Sequence, residues 1–120
     1  MVLLLIAGCG KVLVGLAPEN EHVVLHSIGA LNIPIASVAI VLISATTFQV
    51  RKSLSVIGLT AFALGSVGTA LLVTAQFAGS SLLPGLGMGG MERLAGYPAN
   101  AWMVSTGIAA IADGLRSRGP

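Results

Sequence analysis

Two uninterrupted, uncharged apolar runs dominate the chain, Ser27–Thr47 and Leu54–Phe77, and a short turn carrying Arg51 and Lys52 separates them. Each run is long enough to cross a hydrocarbon core of ~30 Å at ~1.5 Å per helical residue. A soluble domain of this size could not hide two such helices on all sides. A shorter apolar segment, Val2–Leu16, is interrupted only by Lys11. Pro18 ends it, because the proline ring blocks helical continuation. Ala17–Leu25 is then a polar connector holding Pro18, Glu19, Asn20, Glu21 and His22, with Asn20 as the expected cap of the next helix. Pro34 is expected to kink the second span. After the third span comes the glycine-rich stretch Ala78–Gly96, with Gly79, Gly85, Gly87, Gly89, Gly90 and Gly96, read as a flexible or re-entrant turn. Tyr97 and Pro98 open a fourth apolar segment running to about Ala112, and Asp113, Arg116 and Arg118 form a polar tail. The pattern predicts one all-α domain over 1–120, an integral membrane helical bundle of about four transmembrane helices, with spans at 2–16, 27–47, 54–77 and 97–112.

Composition sharpens this. The chain is 55% hydrophobic and only 8% charged, where a soluble domain carries about 25% charged residues. The net charge of +2 is the balance of six basic and four acidic residues, and the basic ones form no patch, so nucleic acid is not an expected partner. They act instead as topology signals. With four spans, Arg51, Lys52, Arg116 and Arg118 share one side, which is expected to be cytoplasmic. The expected location is the cell membrane, multi-pass, with both termini cytoplasmic. Glu19, Glu21, His22, Glu92 and Arg93 fall on the outer side, where Tyr97 and Trp102 would form an aromatic belt. The single cysteine, Cys9, excludes an internal disulfide. Ile6-Ala7-Gly8-Cys9 resembles a lipoprotein cleavage box, but the apolar stretch before Cys9 is too short for a signal core and lacks a preceding basic residue. A truncated or short transmembrane helix is the preferred reading of this segment.

Lipid gives little hydrophobic drive between helices, so close backbone contact through small residues must help hold them together. Gly29, Asn32, Ala36 and Ala39 make one stripe, Ala61, Gly65, Gly68 and Thr69 a second, and Ala101, Ser105, Ala109 and Ala112 a third. All three are expected to face the bundle interior, with Asn32 hydrogen-bonding to a neighbouring helix. Lys11, in the first span, is expected to snorkel outward towards Glu19 or Glu21; the alternative pairs it with Glu92 in a buried site.

The sharpest chemical constellation is Glu19, Glu21, His22, His26 and Glu92. His22 and His26 are four residues apart, and on one helix face such a pair can bind zinc with a carboxylate such as Glu92 as third ligand. An open fourth position would hold an activated water. The competing reading leaves both histidines solvated or hydrogen-bonded at the interface, with no cofactor. Arg93 would grip a phosphate or lipid headgroup; in the alternative, Glu92 is a structural lock tying its loop to the His22–His26 end. The glycine run is not a phosphate loop, because no strand precedes it and no Lys-Ser or Lys-Thr follows. Neither a serine nucleophile arrangement nor a haem motif is discernible. The expected function is therefore that of a membrane protein without a visible catalytic apparatus, binding a ligand or lipid at its outer face. A metal-dependent membrane hydrolase using His22, His26 and a glutamate is the first alternative, and a small transporter or channel subunit working as a homo-oligomer the second. Membrane lipids are the expected partners.

Two stretches carry a family resemblance. One is Val14-Gly15-Leu16-Ala17-Pro18-Glu19-Asn20, followed by His26 and Gly29-Ala30. The other is Gly89-Gly90-Met91-Glu92-Arg93-Leu94, followed by Tyr97-Pro98 and Trp102. Together they are similar to the prokaryotic membrane-protein family called domain of unknown function 998. The chain resembles the last four of that family's about six spans, which implies missing N-terminal spans. The resemblance implies an integral-membrane location and no established activity. It puts the motif on Pro18, Glu19, Asn20, His26, Glu92, Arg93, Tyr97 and Pro98; His22 is not part of the pattern.

Overall fold

The computed structural model describes residues 2–78, 85 and 87–117, and these are all-helical apart from turns. Five helices follow one another: α1 (Val2–Leu16), α2 (Val23–Ala30), α3 (Asn32–Thr47), α4 (Lys52–Ala78) and α5 (Gly87–Arg116). They form a slender bundle 59 × 26 × 22 Å. α5 lies along α4, α3 packs on both α4 and α1, and α1 crosses α2. Successive rods are antiparallel. One end of the bundle therefore holds the α1–α2 turn, and the other holds the α3–α4 turn with the C-terminal end of α5. At that second end Arg51 forms an ion pair with Asp113.

α2 and α3 are one rod broken at Leu31. Pro34 sits in the first turn of α3, and its ring displaces the carbonyl four residues earlier, that of Ala30. The expected kink thus appears one turn N-terminal to the proline. Asn32 is buried at the break, and its side-chain amide donates to Gly29 O at 2.8 Å. Its hydrogen bond therefore steadies its own chain instead of reaching a neighbouring helix. Asn20 does not cap α2 either. The Pro18 carbonyl accepts from the Glu21 and His22 N–H groups at 3.1 and 2.9 Å, closing a turn, and His22 takes the cap position without a side-chain bond.

Two helical rods are long and apolar enough to cross a membrane, Val23–Thr47 and Lys52–Ala78. α1 is apolar but shorter. α5 is longer than either but carries Glu92, Arg93, Asp113 and Arg116 and is not one of the two.

The buried face of α4 consists only of Ser55, Gly58, Ala61, Gly65, Gly68 and Ala75. These small residues let α5 approach backbone to backbone: a Cβ placed on Gly65 would lie 3.0 Å from Ala95 O. The same economy governs α1 against α2, where a Cβ on Gly29 would meet Val14 Cγ2 at 2.8 Å and Gly10 O at 2.9 Å. The stripe Gly29, Asn32, Ala36, Ala39 is buried as expected, as are Ala61, Gly65 and Gly68.

The third expected stripe is not the buried one. Ala101 and Ser105 are exposed, and Ala109 and Ala112 only half-buried; α5 buries Met91, Ala95, Gly96, Ala99 and Trp102 instead. Contact with α4 selects this face: Ala95 packs on Gly65 and Gly68, and Trp102 on Gly58. The helix start differs as well. α5 begins at Gly87, where φ is +59°, and not at Tyr97, so Pro98 lies inside the helix and the glycine run forms its first turns. Glycines weaken a helix by about 1 kcal/mol each relative to alanine, and here the close packing of Ala95 on Gly65 and Gly68 of α4 follows directly along the chain. Gly79 and the rest of 79–84 lie outside the described residues.

Trp102, expected in an interfacial belt, is only 1% exposed and fills the core with Ala7, Ala36, Ile40, Ala61 and Ala99. Its indole N–H donates to Leu54 O at 3.3 Å. Tyr97 is 60% exposed. Of the two aromatics, the indole is drawn inward because Gly58 leaves room beneath it.

Candidate functional site

The residues with chemistry to offer collect at the end of the bundle marked by the α1–α2 turn. A cleft of about 310 Å³ opens there. α1 contributes Lys11, Val14 and Gly15; α2 contributes His26 and Ala30; Asn32 and Ile33 come from α3, Leu72 from α4, and Glu92, Arg93 and Tyr97 from α5. The walls are mostly hydrocarbon, and the charged groups converge from opposite sides.

Packing sets each position. The close crossing at Gly10 and Gly29 fixes α1 against α2, so Lys11 and Val14 border the same space as His26. Lys11 does not turn outward towards Glu19 or Glu21. Its Nζ lies over Gly96, 3.0 Å from where a Cβ would stand, one helical turn along α5 from Glu92. Gly96 is buried for this reason. Among the described residues Lys11 and Glu92 form no ion pair within 4.0 Å; Arg51–Asp113 is the one such pair.

His26 is half-buried and held by a hydrogen bond between its Nδ1 and Ala17 O at 2.9 Å. A carbonyl only accepts, so Nδ1 carries a proton, and in the neutral imidazole Nε2 is then the nitrogen with the lone pair. Glu19 projects from the turn just after Pro18, and Glu92 from the early turns of α5. One donor atom each of Glu19, His26 and Glu92 lies within 4.8 Å of the other two. Three separate segments thus bring two carboxylates and an imidazole together.

His22 is outside this group. Four-residue spacing aligns two side chains only if both residues are helical, and His22 has φ −135° and ψ 56°, ahead of the first helical residue Val23. The triad therefore contains Glu19 where the sequence pointed to His22. Of the other motif residues, Pro18 and Asn20 sit in the exposed turn, and Pro98 lines an adjoining groove with Leu64, Arg93 and Tyr97. The apolar wall, Val14 and Leu72 in particular, carries no sequence signal, since one more leucine or valine in an apolar helix looks like any other.

Comparison with family models, with curated proteins and with solved structures gave no match to this chain. The likeness to domain of unknown function 998 rests on its two motifs alone.

Proposed function

We propose that this chain is a four-span integral-membrane protein, with both termini cytoplasmic, that binds an amphipathic ligand bearing an anionic headgroup in the cleft at its outer end. The membrane reading is supported by how little of the two long apolar rods is covered by protein: 33% of the apolar window of Val23–Thr47 and 22% of that of Lys52–Ala78 is buried. The core helix of a soluble protein would be mostly enclosed. Val104, Ile108, Ile111 and Leu115 likewise leave one side of α5 apolar and uncovered. Contiguous apolar surface on this scale is unfavourable in water at about 25 cal/mol per Å² and suits lipid.

The observation that carries the ligand reading is the placement of Lys11. A lysine within a span costs on the order of 2.5–3.5 kcal/mol on insertion scales, and such residues mark functional pathways. Here its Nζ reaches α5 at Gly96, and Arg93 lines the same cleft. Two cations, Lys11 and Arg93, line the cleft together with one carboxylate, Glu92, while Glu19 stands outside the lining, close to Glu92. Acyl chains would lie along Val14, Ala30, Ile33 and Leu72, with the headgroup meeting the cations. Arginine suits a phosphate through its forked donors.

The test is native mass spectrometry of the detergent-purified protein with phosphatidylglycerol and, as control, phosphatidylcholine. The wild type retains phosphatidylglycerol preferentially. Lys11→Met and Arg93→Gln each weaken that binding about tenfold or more, the scale of one charge-assisted hydrogen bond, and leave phosphatidylcholine unaffected. Equal retention of the two lipids, or variants that bind like wild type, refutes the ligand reading. Recovery of the protein in the aqueous fraction without detergent refutes the membrane reading.

A further inference from the structure

We infer that Glu19, His26 and Glu92 form a divalent-metal site at the mouth of the cleft, of the mixed nitrogen–oxygen kind that takes zinc. The inference goes beyond the ligand reading and does not depend on it.

Three features converge. The first is composition and geometry. One imidazole and two carboxylates, with donor atoms mutually within 4.8 Å, are a ligand set used by zinc sites that keep an open position. Zinc–ligand bonds of about 2.0–2.1 Å in tetrahedral array put ligand atoms roughly 3.3 Å apart. The triad must therefore close by up to about 1.5 Å. Glu19 and Glu92 are exposed side chains engaged in no other hydrogen bond or ion pair among the described residues, so rotation about their own bonds supplies this.

The second feature is the hydrogen bond behind the histidine. Donation from Nδ1 to Ala17 O at 2.9 Å fixes the tautomer and the ring plane. Metal-ligating histidines are held in this way, and the free Nε2 is the atom a metal takes.

The third is charge. Two carboxylates this close repel each other, and neither is neutralised by an ion pair within 4.0 Å among the described residues. A divalent cation removes that repulsion. The three protein ligands leave coordination positions facing the cleft, where water or an anionic group completes the shell.

The experiment uses the chain in detergent micelles, stripped of metal and titrated with zinc against a chromophoric chelator. One equivalent binds per chain. Glu19→Gln, in an exposed turn and nearly isosteric, and His26→Ala each weaken binding at least tenfold, while His22→Ala stays within about twofold of wild type. Helical circular dichroism confirms that each variant is folded. Cobalt in place of zinc gives visible ligand-field bands of four-coordinate intensity, which Glu19→Gln abolishes. Absence of saturable binding, unchanged affinity in Glu19→Gln and His26→Ala, or the largest loss from His22→Ala overturns the site. No lipid is present in this titration. A failure here therefore leaves the phosphatidylglycerol measurement standing, and failure there leaves this one.

Discussion

Gly68 is where adding a single carbon tests the packing most directly. A Cβ at this position lands 2.6 Å from the carbonyl carbon of Leu94 and 2.8 Å from Ala95 Cα. Carbon atoms in contact prefer about 3.5–4.0 Å, so α4 and α5 must part by roughly 1 Å around this point. The obstructing atoms are helix backbone, and no rotamer change relieves them. Overpacking of this kind costs about 1–3 kcal/mol. Replacing glycine by alanine within a helix also gains about 1 kcal/mol of intrinsic propensity, which must be separated from the steric effect. Gly107, in the middle of α5, has nothing within 4 Å of its would-be Cβ. Gly107→Ala therefore shows the propensity gain alone, and Gly68→Ala shows that gain less the steric cost. The difference between the two variants isolates a steric cost of about 1–3 kcal/mol. Unfolding in mixed micelles of increasing SDS fraction, followed by helical circular dichroism, measures both. Equal stability of Gly68→Ala and Gly107→Ala refutes backbone-to-backbone packing of α4 on α5.

Trp102 is the chain's one tryptophan and is 1% exposed. Its emission is expected to resist quenching by aqueous iodide, and Trp102→Ala to cost about 3–5 kcal/mol; ready quenching would return it to the interfacial belt. The Ser44 hydroxyl is fully buried beside Gly58 and has no hydrogen-bond partner among the described residues. Ser44→Ala is therefore expected to be neutral or stabilising in the same SDS titration, and a loss above about 1 kcal/mol would mean a partner exists. The Arg51–Asp113 pair has side chains 43% and 41% exposed. Solvent screens it, so Arg51→Ala should cost less than about 1 kcal/mol; outright unfolding of this variant would contradict the assignment of the pair to the solvated end.

Much of the fold was legible because small residues in apolar helices have few other uses. Gly29, Ala36, Ala61, Gly65 and Gly68 stood out at helical spacing and are buried. α5 departs from the expected segment, starting at Gly87 and not at Tyr97. Gly87, Gly89 and Gly90 have the composition of a loop; they begin a helix whose Ala95 packs on Gly65 and Gly68 of α4, a contact that a local reading does not contain. The buried stripe of α5 runs through Ala95, Ala99 and Trp102, set by contact with Gly58, Gly65 and Gly68 of α4, and that contact is not visible in the sequence of α5 alone. The site was legible as a set of residues but not as a geometry. His26, Glu92 and Arg93 were singled out and converge on one cleft, whereas the choice between His22 and Glu19 turned on whether α2 starts before or after residue 22. That is a matter of one turn, and the Pro18 carbonyl settles it by holding the His22 N–H in the preceding turn.

The two proposals meet in the charge of the cleft. With the triad empty, Glu19 and Glu92 offset Lys11 and Arg93. A divalent ion neutralises the two carboxylates and leaves both cations unopposed, so an anionic headgroup finds a more attractive site, and an open metal position besides. Zinc and phosphatidylglycerol should therefore bind with positive coupling. Linkage requires the effect to be mutual: whatever factor zinc adds to lipid affinity, lipid adds to zinc affinity. A coupling of about 1–3 kcal/mol corresponds to about 5–150-fold. Measuring zinc affinity in micelles doped with phosphatidylglycerol, and lipid retention with and without zinc, gives the factor twice. In Glu19→Gln the coupling should fall along with zinc binding, whereas Arg93→Gln should keep zinc binding and lose the coupling. Zinc and lipid that bind independently would separate the metal from the headgroup, and competition between them would place both on the same atoms.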